Sequence, residues 1–303
     1  MIFSFLPSNA NTSYPKYQSE LLTSKVRPVE QARWFREGLL YSNSGQLYFN
    51  NEPIKLLKSN TNELGLVIND IFVDGKDFYL ATDMGVFKNY RRIFSKAACQ
   101  QVIKSRSNIF IACRQGIYQA AIERSGFQAN FDWQLDELSP QDANFMLLNR
   151  SGKKVKYASA VNGFYYHGTK GKWFNRSYGL DRDFNDSFGF GRFTETGAVI
   201  YLASSSGVYQ SSNQGKSWIK ANSGLKANAD GFYTIRSIET NQQQILAITS
   251  RGLYQASPGN PLEWQEINVA DSQKSKDYQN DFYSLQVKLV NYSLVILKDR
   301  FLV

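Results

Sequence analysis

Three arginines at the ends of apolar stretches are the residues best placed to bind an anion. Each follows an apolar stretch: Arg114 follows "IFIAC", Arg251 follows "LAITS" and Arg300 follows "VILKD". A guanidinium group presents a planar fork of N–H donors that matches a carboxylate. If the fold brings the three arginines together, we expect them to bind an acidic ligand or a chain terminus.

A second group of basic residues lies in the middle of the chain, where Lys153, Lys154, Lys170 and Lys172 are close in sequence. The formal net charge of +9 favours anionic partners. An acidic protein surface is the favoured partner, and a glycan or a peripheral membrane contact is an alternative. Nucleic acid is disfavoured because the basic residues are scattered and form no arginine-rich tail.

Other chemistries find little support in the sequence. His167 is the single histidine, which argues against histidine-based triads and multi-histidine metal sites. There is no phosphate-binding GxxxxGK and no dinucleotide fingerprint. The sequence therefore predicts no catalytic, cofactor-binding or metal-binding residues and favours a binding protein over an enzyme.

An internal repeat organises the chain. The repeated unit consists of an apolar strand, a short polar stretch, Gly and an apolar–aromatic pair. It occurs in five copies, whose glycines are at positions 85, 116, 163, 207 and 252. A looser copy has Gly45, and a last copy has Arg300 in place of glycine. The spacing of 31 to 48 residues is typical of propeller blades. Each glycine is expected to supply a positive φ between two strands.

A tryptophan follows four of the anchors, at positions 133, 173, 218 and 264, and is expected to fill the wedge between neighbouring blades. The prediction is an all-β fold: a single β-propeller over 29–303 with about seven four-stranded blades, six or eight being the alternatives. Residues 1–28 form a separate N-terminal segment, either a signal remnant or a ring-closing strand, and the closing strand is expected within residues 1–36. "QARWFRE" and "GLLYS" are the first two strands of blade 1, unless Trp34 belongs to an outer strand of the last blade.

The stretch Ser211-x-Asn213-x-Gly215-x-Ser217-Trp218 resembles the Asp-box, whose pattern is Ser-x-Asp-x-Gly-x-Thr-Trp. Its role is expected to be structural: Asn213 binds backbone amides, Gly215 takes a left-handed conformation and Trp218 packs on the blade. The resemblance implies a turn between the third and fourth strands of a blade. A degraded copy, "HGTKGKW", contains His167, which is expected to be an exposed turn residue.

Cys99 and Cys113 are predicted to lie nearly opposite each other on adjacent strands. They form a disulfide, which would fit an oxidising compartment, or remain two buried thiols.

Two functions are compatible with these features. Asp-box propellers include sialidases, sortilin-type receptors and the photosystem II stability/assembly-factor group, which the chain resembles most in size. The resemblance implies a non-catalytic platform that docks an acidic protein in an extracytoplasmic compartment. The alternative is a sialidase-like glycoside hydrolase or glycan-binding propeller acting at the channel mouth. No stretch is long and apolar enough for a transmembrane segment.

Overall fold

We describe the fold from a computed structural model of the chain. The structure describes residues 2–8, 16–21, 31–36, 38–43, 45–50, 52–55, 66–105, 107–122, 131–148, 152–182, 190–240, 243–249, 251–259, 262–267, 281–288 and 293–299. This part of the chain contains strands and turns and no helix.

Six blades are formed by consecutive strands, each an antiparallel sheet of four strands that we call a to d in chain order. Blade 1 contains β3 (Gln31–Phe35), β4 (Gly38–Asn43), β5 (Gln46–Phe49) and β6 (Glu52–Ile54). Blade 2 contains β7 (Ile68–Asp74), β8 (Asp77–Thr82), β9 (Gly85–Lys88) and β10 (Arg91–Phe94). Blade 3 contains β11 (Cys99–Lys104), β12 (Asn108–Cys113), β13 (Gly116–Ala121) and β14 (Gln134–Asp136).

The remaining three blades follow the same order. Blade 4 contains β15 (Ala143–Leu148), β16 (Val155–Ala160), β17 (Gly163–His167) and β18 (Trp173–Asn175). Blade 5 contains β19 (Phe190–Thr196), β20 (Val199–Ser204), β21 (Gly207–Ser211) and β22 (Ile219–Lys220). Blade 6 contains β23 (Ile235–Thr240), β24 (Ile245–Thr249), β25 (Gly252–Ala256) and β26 (Gln265–Glu266).

A seventh four-stranded sheet is shared by both ends of the chain. It contains β1 (Ile2–Ser8), β2 (Lys16–Leu21), β27 (Asp281–Lys288) and β28 (Ser293–Asp299), in the order β2-β1-β28-β27. The prediction of four-stranded propeller blades is confirmed, but six blades, rather than about seven, are built from consecutive strands. The N-terminal segment supplies two strands of the seventh sheet where one was expected, and Arg300 lies outside the described residues.

Contacts divide the chain into two compact units. Unit 1 comprises Met1–Glu30, Gly179–Gln214 and Trp218–Val303, and it contains blades 5 and 6 and the terminal sheet. Unit 2 comprises Gln31–Tyr178 and Gly215–Ser217, and it contains blades 1 to 4.

The glycine anchors begin strand c in blades 2 to 6, as the repeat predicted. β9, β13, β17, β21 and β25 start at Gly85, Gly116, Gly163, Gly207 and Gly252. Gly85 has φ 111°, in the region that favours glycine. In blade 1, Gln31–Phe35 pairs with Gly38–Asn43 through a very short connection, which confirms the first interpretation of that segment.

The core lies between neighbouring blades. Strands b are buried along nearly their whole length because both faces of each inner strand are covered, whereas strands d are largely exposed. In unit 2, Leu80 and Phe87 of blade 2 pack with Leu40 and Leu47 of blade 1. In unit 1, Tyr201 of blade 5 packs in the same way with residues of blade 6.

Tryptophans join adjacent blades, which confirms the expected wedge position for three of them. The indole Nε1–H of Trp133 donates to the carbonyl oxygen of Ile93 at 2.9 Å, and that of Trp264 donates to the carbonyl oxygen of Ala221 at 2.7 Å. Trp173 donates to Asp136 Oδ2 at 2.8 Å. In each pair the acceptor belongs to the preceding blade or to the segment that leaves it.

Polar side chains connect the inner strands of neighbouring blades. Each of these residues comes directly after a bulge in strand a. Asp70 comes directly after the register shift in β7, and Arg33 Nη2 of β3 donates to Asp70 Oδ1 at 3.1 Å. Gln101 comes directly after the shift in β11, and its Oε1 accepts from the Met146 amide at 2.6 Å. A bulge re-aims the residues beside it, so these shifts direct one blade's side chain at the next blade.

Buried tyrosines make a testable prediction about alkaline pH. Burial raises the pKa of Tyr209 to about 12, and it also raises the pKa of Tyr79, Tyr201 and Tyr254. These groups stabilise the fold below their unfolded pKa of about 10, and this contribution is lost as pH rises through the folded values. We therefore expect these phenols to ionise only well above pH 10 or together with unfolding. Ultraviolet absorbance of phenolate, recorded beside circular dichroism, checks this. Titration of all 18 tyrosines near pH 10 with the fold intact would contradict it.

Candidate functional site

Blade 4 carries a concentrated positive charge. Between Asp142 and Asp181 the chain has five lysines, two arginines and no aspartate or glutamate. So many charges of one sign in one short segment attract anionic groups to that segment.

The four predicted binding lysines lie on the two turns at one edge of blade 4. Lys153 and Lys154 are in the turn between β15 and β16, and Lys170 and Lys172 are in the turn between β17 and β18. In an antiparallel meander these two turns lie at the same end of the sheet, and all four side chains are exposed. We call these four residues the basic edge.

The other two described cations of blade 4 contact aromatic rings. Lys156 Nζ lies 4.7 Å from the centre of the Tyr157 ring, and the Arg176 guanidinium lies 3.9 Å from the centre of the Tyr166 ring. These contacts orient both side chains along the blade.

A cavity of about 430 Å³ lies between blades 3 and 4 and reaches the basic edge. Its lining combines buried apolar side chains with polar groups at the rim. The lining residues are Phe110, Ile117, Gln119, Leu135, Asp136, Glu137, Lys154, Val155, His167, Gly171 and Trp173. Lys154 comes from the first turn of the basic edge, and Gly171 comes from the second.

His167 is held firmly in the wall of this cavity. Its Nδ1 lies 3.0 Å from the carbonyl oxygen of Val155, and its ring stacks on Trp173 with 4.5 Å between centroids. Because a carbonyl oxygen only accepts hydrogen bonds, Nδ1 carries the proton. The expectation that His167 is an exposed turn residue is wrong: it ends strand β17 and is half-buried, because the stacked indole covers it.

Asp136 has a structural role in the opposite wall. Oδ2 accepts from Trp173 Nε1 at 2.8 Å, and Oδ1 accepts from the Leu138 amide at 3.2 Å. The Asp136 carbonyl oxygen also accepts from the Ser139 hydroxyl at 2.6 Å. With both carboxylate oxygens engaged, Asp136 fixes the wall of the cavity.

Two of the three arginines of the predicted channel mouth lie in the part of the chain that the structure describes. Arg114 is 81% exposed, and its Nε lies 4.0 Å from Asp142 Oδ1, an exposed ion pair that contributes little. Arg251 is exposed in the b–c turn of blade 6. Arg114 belongs to unit 2, Arg251 to unit 1, and Arg300 is outside the described residues. Their joint action on one anion therefore stays a prediction.

The Asp-box-like turn lies between β21 and β22, the c–d hairpin that the resemblance implied. The Ser211 hydroxyl donates to Asn213 Oδ1 at 2.9 Å, Gly215 has φ 80° and Trp218 is buried. The contact between Ser211 and Asn213 lies within the turn, and a structural role for the turn stays a prediction.

The structure joins Cys99 and Cys113 by a disulfide. The two residues are opposite each other on β11 and β12, and both are fully buried. This pair links the two innermost strands of blade 3.

Sequence reasoning missed most of the cavity. Gln119, Leu135 and Glu137 lie on or beside the outer strands of blade 3, and no motif marks them. The one usable signal was the tryptophan repeat, which placed Trp173 between blades. Within the described residues, no group of three or more His, Cys, Asp or Glu could hold a metal ion.

The fold and the blade contacts define a β-propeller, and comparison with solved structures shows the same fold. The extracellular domain of BT4673 from B. thetaiotaomicron matches with a TM-score of 0.65 and 13% identity, over 97% of this chain and 40% of that chain. A structure of YCF48 bound to D1 peptide matches with a TM-score of 0.59 and 10% identity, over 90% of this chain and 94% of that chain.

PorZ, a surface component of the type-IX secretion system of P. gingivalis, matches with a TM-score of 0.51 and 10% identity, over 88% of this chain and 41% of that chain. The chain thus spans about 40% of the length of the first of these structures. No protein-family model matches the chain, and no curated protein matches it. A search of the described residues for a helix long and apolar enough to cross a membrane finds none.

Proposed function

We infer that this chain is a non-catalytic propeller that docks an acidic protein partner through the basic edge of blade 4. The observation that carries this inference is the charge of the segment between Asp142 and Asp181, which has seven basic residues and no carboxylate. Exposed charges of one sign steer a partner of opposite sign and fix its orientation.

A rigid sheet supports a docking role. The lysines of the basic edge lie on short turns between paired strands, so binding orders little additional backbone. Asp136, a carboxylate in the cavity wall, is engaged in hydrogen bonds that fix the wall, which favours binding over catalysis at this cavity.

We place this function in an extracytoplasmic compartment. A buried disulfide is typical of proteins in oxidising compartments. The similar structures include an extracellular domain, a secretion-system surface component and YCF48 with a bound peptide. We carry over from them only the general role, a propeller that binds protein outside the cytoplasm.

Charge reversal tests the proposal. We expect Lys153→Glu/Lys154→Glu and Lys170→Glu/Lys172→Glu each to weaken binding of a fluorescein-labelled oligoglutamate peptide by roughly tenfold or more at low salt. The difference should shrink as salt rises, because exposed charges are screened beyond a Debye length of ~8–10 Å near physiological ionic strength. Fluorescence anisotropy over a salt series measures both effects.

The matched control reverses two exposed lysines of unit 2 outside blade 4. Lys76 lies in the a–b turn of blade 2, the same kind of turn as Lys153, and Lys96 lies between β10 and β11. Lys76→Glu/Lys96→Glu makes the same change in net charge and should retain binding. Equal losses in all three variants, or tighter binding to anionic phosphatidylglycerol vesicles than to the peptide, would overturn the proposal.

A further inference from the structure

The cavity between blades 3 and 4 has an apolar interior. Phe110, Ile117 and Val155 are almost fully buried, and Leu135 forms part of the wall nearer solvent. A volume of about 430 Å³ is near the lower end of the ~300–1,000 Å³ typical of ligand pockets. The cavity therefore suits one large side chain with its adjoining backbone.

The mouth of the cavity adjoins positive charge. Lys154 lines the cavity and also belongs to the basic edge, and Gly171 lines it between Lys170 and Lys172 in sequence. Of the two carboxylates in the lining, Asp136 is engaged by Trp173 and Leu138, and Glu137 is exposed. An apolar group entering here has lysines beside it.

The described lining of a second cavity, in unit 1, lacks this combination of an apolar interior and adjoining lysines. That cavity has a volume of about 300 Å³ and lies along the outer strands of blade 6. Its described lining residues are Gln244, Gln255, Ala256, Ser257, Pro258, Gly259, Glu263 and Gln265, which include no lysine or arginine.

We propose that the blade 3–4 cavity binds one large apolar side chain from an acidic peptide segment, whose carboxylates contact the basic edge. This inference rests on the proposed function and names the kind of segment that the partner presents. Burying the apolar side chain supplies affinity, since buried anchors dominate interfaces, and the surrounding charges supply orientation. The segment would therefore have a Phe- or Leu-type residue flanked by Asp or Glu.

Three labelled peptides test the proposal with the full chain. The first has one central Phe flanked by acidic residues, the second replaces that Phe by Ser, and the third keeps the Phe but replaces the acidic residues by Ser. Fluorescence anisotropy at low salt should show the first peptide binding at least tenfold tighter than either of the others.

A variant that blocks the cavity separates the anchor from the charges. Gln119 lines the cavity, yet it is exposed on strand β13, so Gln119→Trp should fill the mouth without disturbing the core. We expect this variant to bind the first peptide no tighter than the second, while binding of the second is unchanged. Gln265→Trp, on an exposed strand of blade 6, is the control and should retain tenfold discrimination.

The outcomes separate this inference from the proposed function. Equal binding of the first two peptides would contradict the proposed apolar anchor but would leave the proposed docking of an acidic partner intact. No binding of any peptide would overturn both. Discrimination that survives Gln119→Trp would place the anchor elsewhere and overturn the assignment to this cavity. Tight binding of the third peptide would show an apolar site that does not require acidic flanks, which also contradicts the proposal.

Discussion

Gly85→Ala is expected to destabilise the protein by about 3 kcal/mol or more, the sum of a left-handed backbone penalty and an overpacking penalty. Gly85 begins strand c of blade 2 with φ 111°, and a Cβ atom there would overlap the carbonyl oxygen of Phe94 on the neighbouring strand. A backbone carbonyl in a paired strand cannot move aside as a flexible side chain could. Urea unfolding followed by circular dichroism measures the loss.

Gly75→Ala is the matched control for this prediction. Gly75 lies in the a–b turn of the same blade with φ 58°, and a Cβ there would have no heavy atom within 4 Å. The backbone penalty alone applies, so we expect a loss of about 1–2 kcal/mol. Equal losses for the two alanine variants would show that the overlap with Phe94 does not matter.

Removing the disulfide by Cys99→Ala/Cys113→Ala is expected to cost about 3 kcal/mol of stability. The bond spans a sequence separation of 14 residues. Closing a loop of about that size restricts the unfolded chain by roughly 3 kcal/mol in the chain-entropy account. Since both cysteines are fully buried, reductant should leave the folded protein intact and act only when it unfolds. Denaturant unfolding with and without reductant measures both effects.

The repeat suggests a substitution that should restore part of the stability lost in Cys99→Ala/Cys113→Ala. Three residues before the anchor glycine, blades 2 and 6 have Thr82 and Thr249, whose hydroxyls donate to the carbonyl oxygens of Gly85 and Gly252 at 2.8 and 3.2 Å. Cys113 has this position in blade 3. Cys99→Ala/Cys113→Thr should therefore recover about 1 kcal/mol relative to the double alanine variant, the typical net value of one hydrogen bond. No recovery would indicate that blade 3 cannot form this hydrogen bond.

The features that sequence predicted well depend on short-range chemistry. A glycine between an apolar strand and an aromatic strand needs a particular backbone conformation, so the anchors located strand c in five blades. The sequence predicted that Cys99 and Cys113 lie nearly opposite each other, and a register shift between Cys99 and Gln101 places them directly opposite. The tryptophan repeat indicated contacts between blades because a large side chain at that position fills the wedge between neighbouring sheets.

The features that sequence missed depend on contacts between distant segments. The wall of the candidate site forms because Trp173 of blade 4 donates to Asp136, which ends the outermost strand of blade 3. His167 is fixed by its contacts with Trp173 and Val155, although its neighbours along the chain have the composition of an exposed turn. Nothing local marks the pairing of β1 with β28 or the supply of two strands by the N-terminal segment.

Because of the terminal sheet, we expect the two units to complete their strand pairing at different times. The four blades of unit 2 arise almost entirely from Gln31–Tyr178, so each can pair as soon as its own hairpins have been synthesised. β1 pairs with β2 locally, but it also pairs with β28, for example at Ser4 and Val295, so one edge of this hairpin needs a partner that is synthesised much later. Contacts this distant carry the largest loop-closure cost and form slowly. Unit 2 should therefore be complete while the β1–β2 hairpin of unit 1 still lacks its pairing with β28, which makes that interval the one in which a chaperone would be most useful.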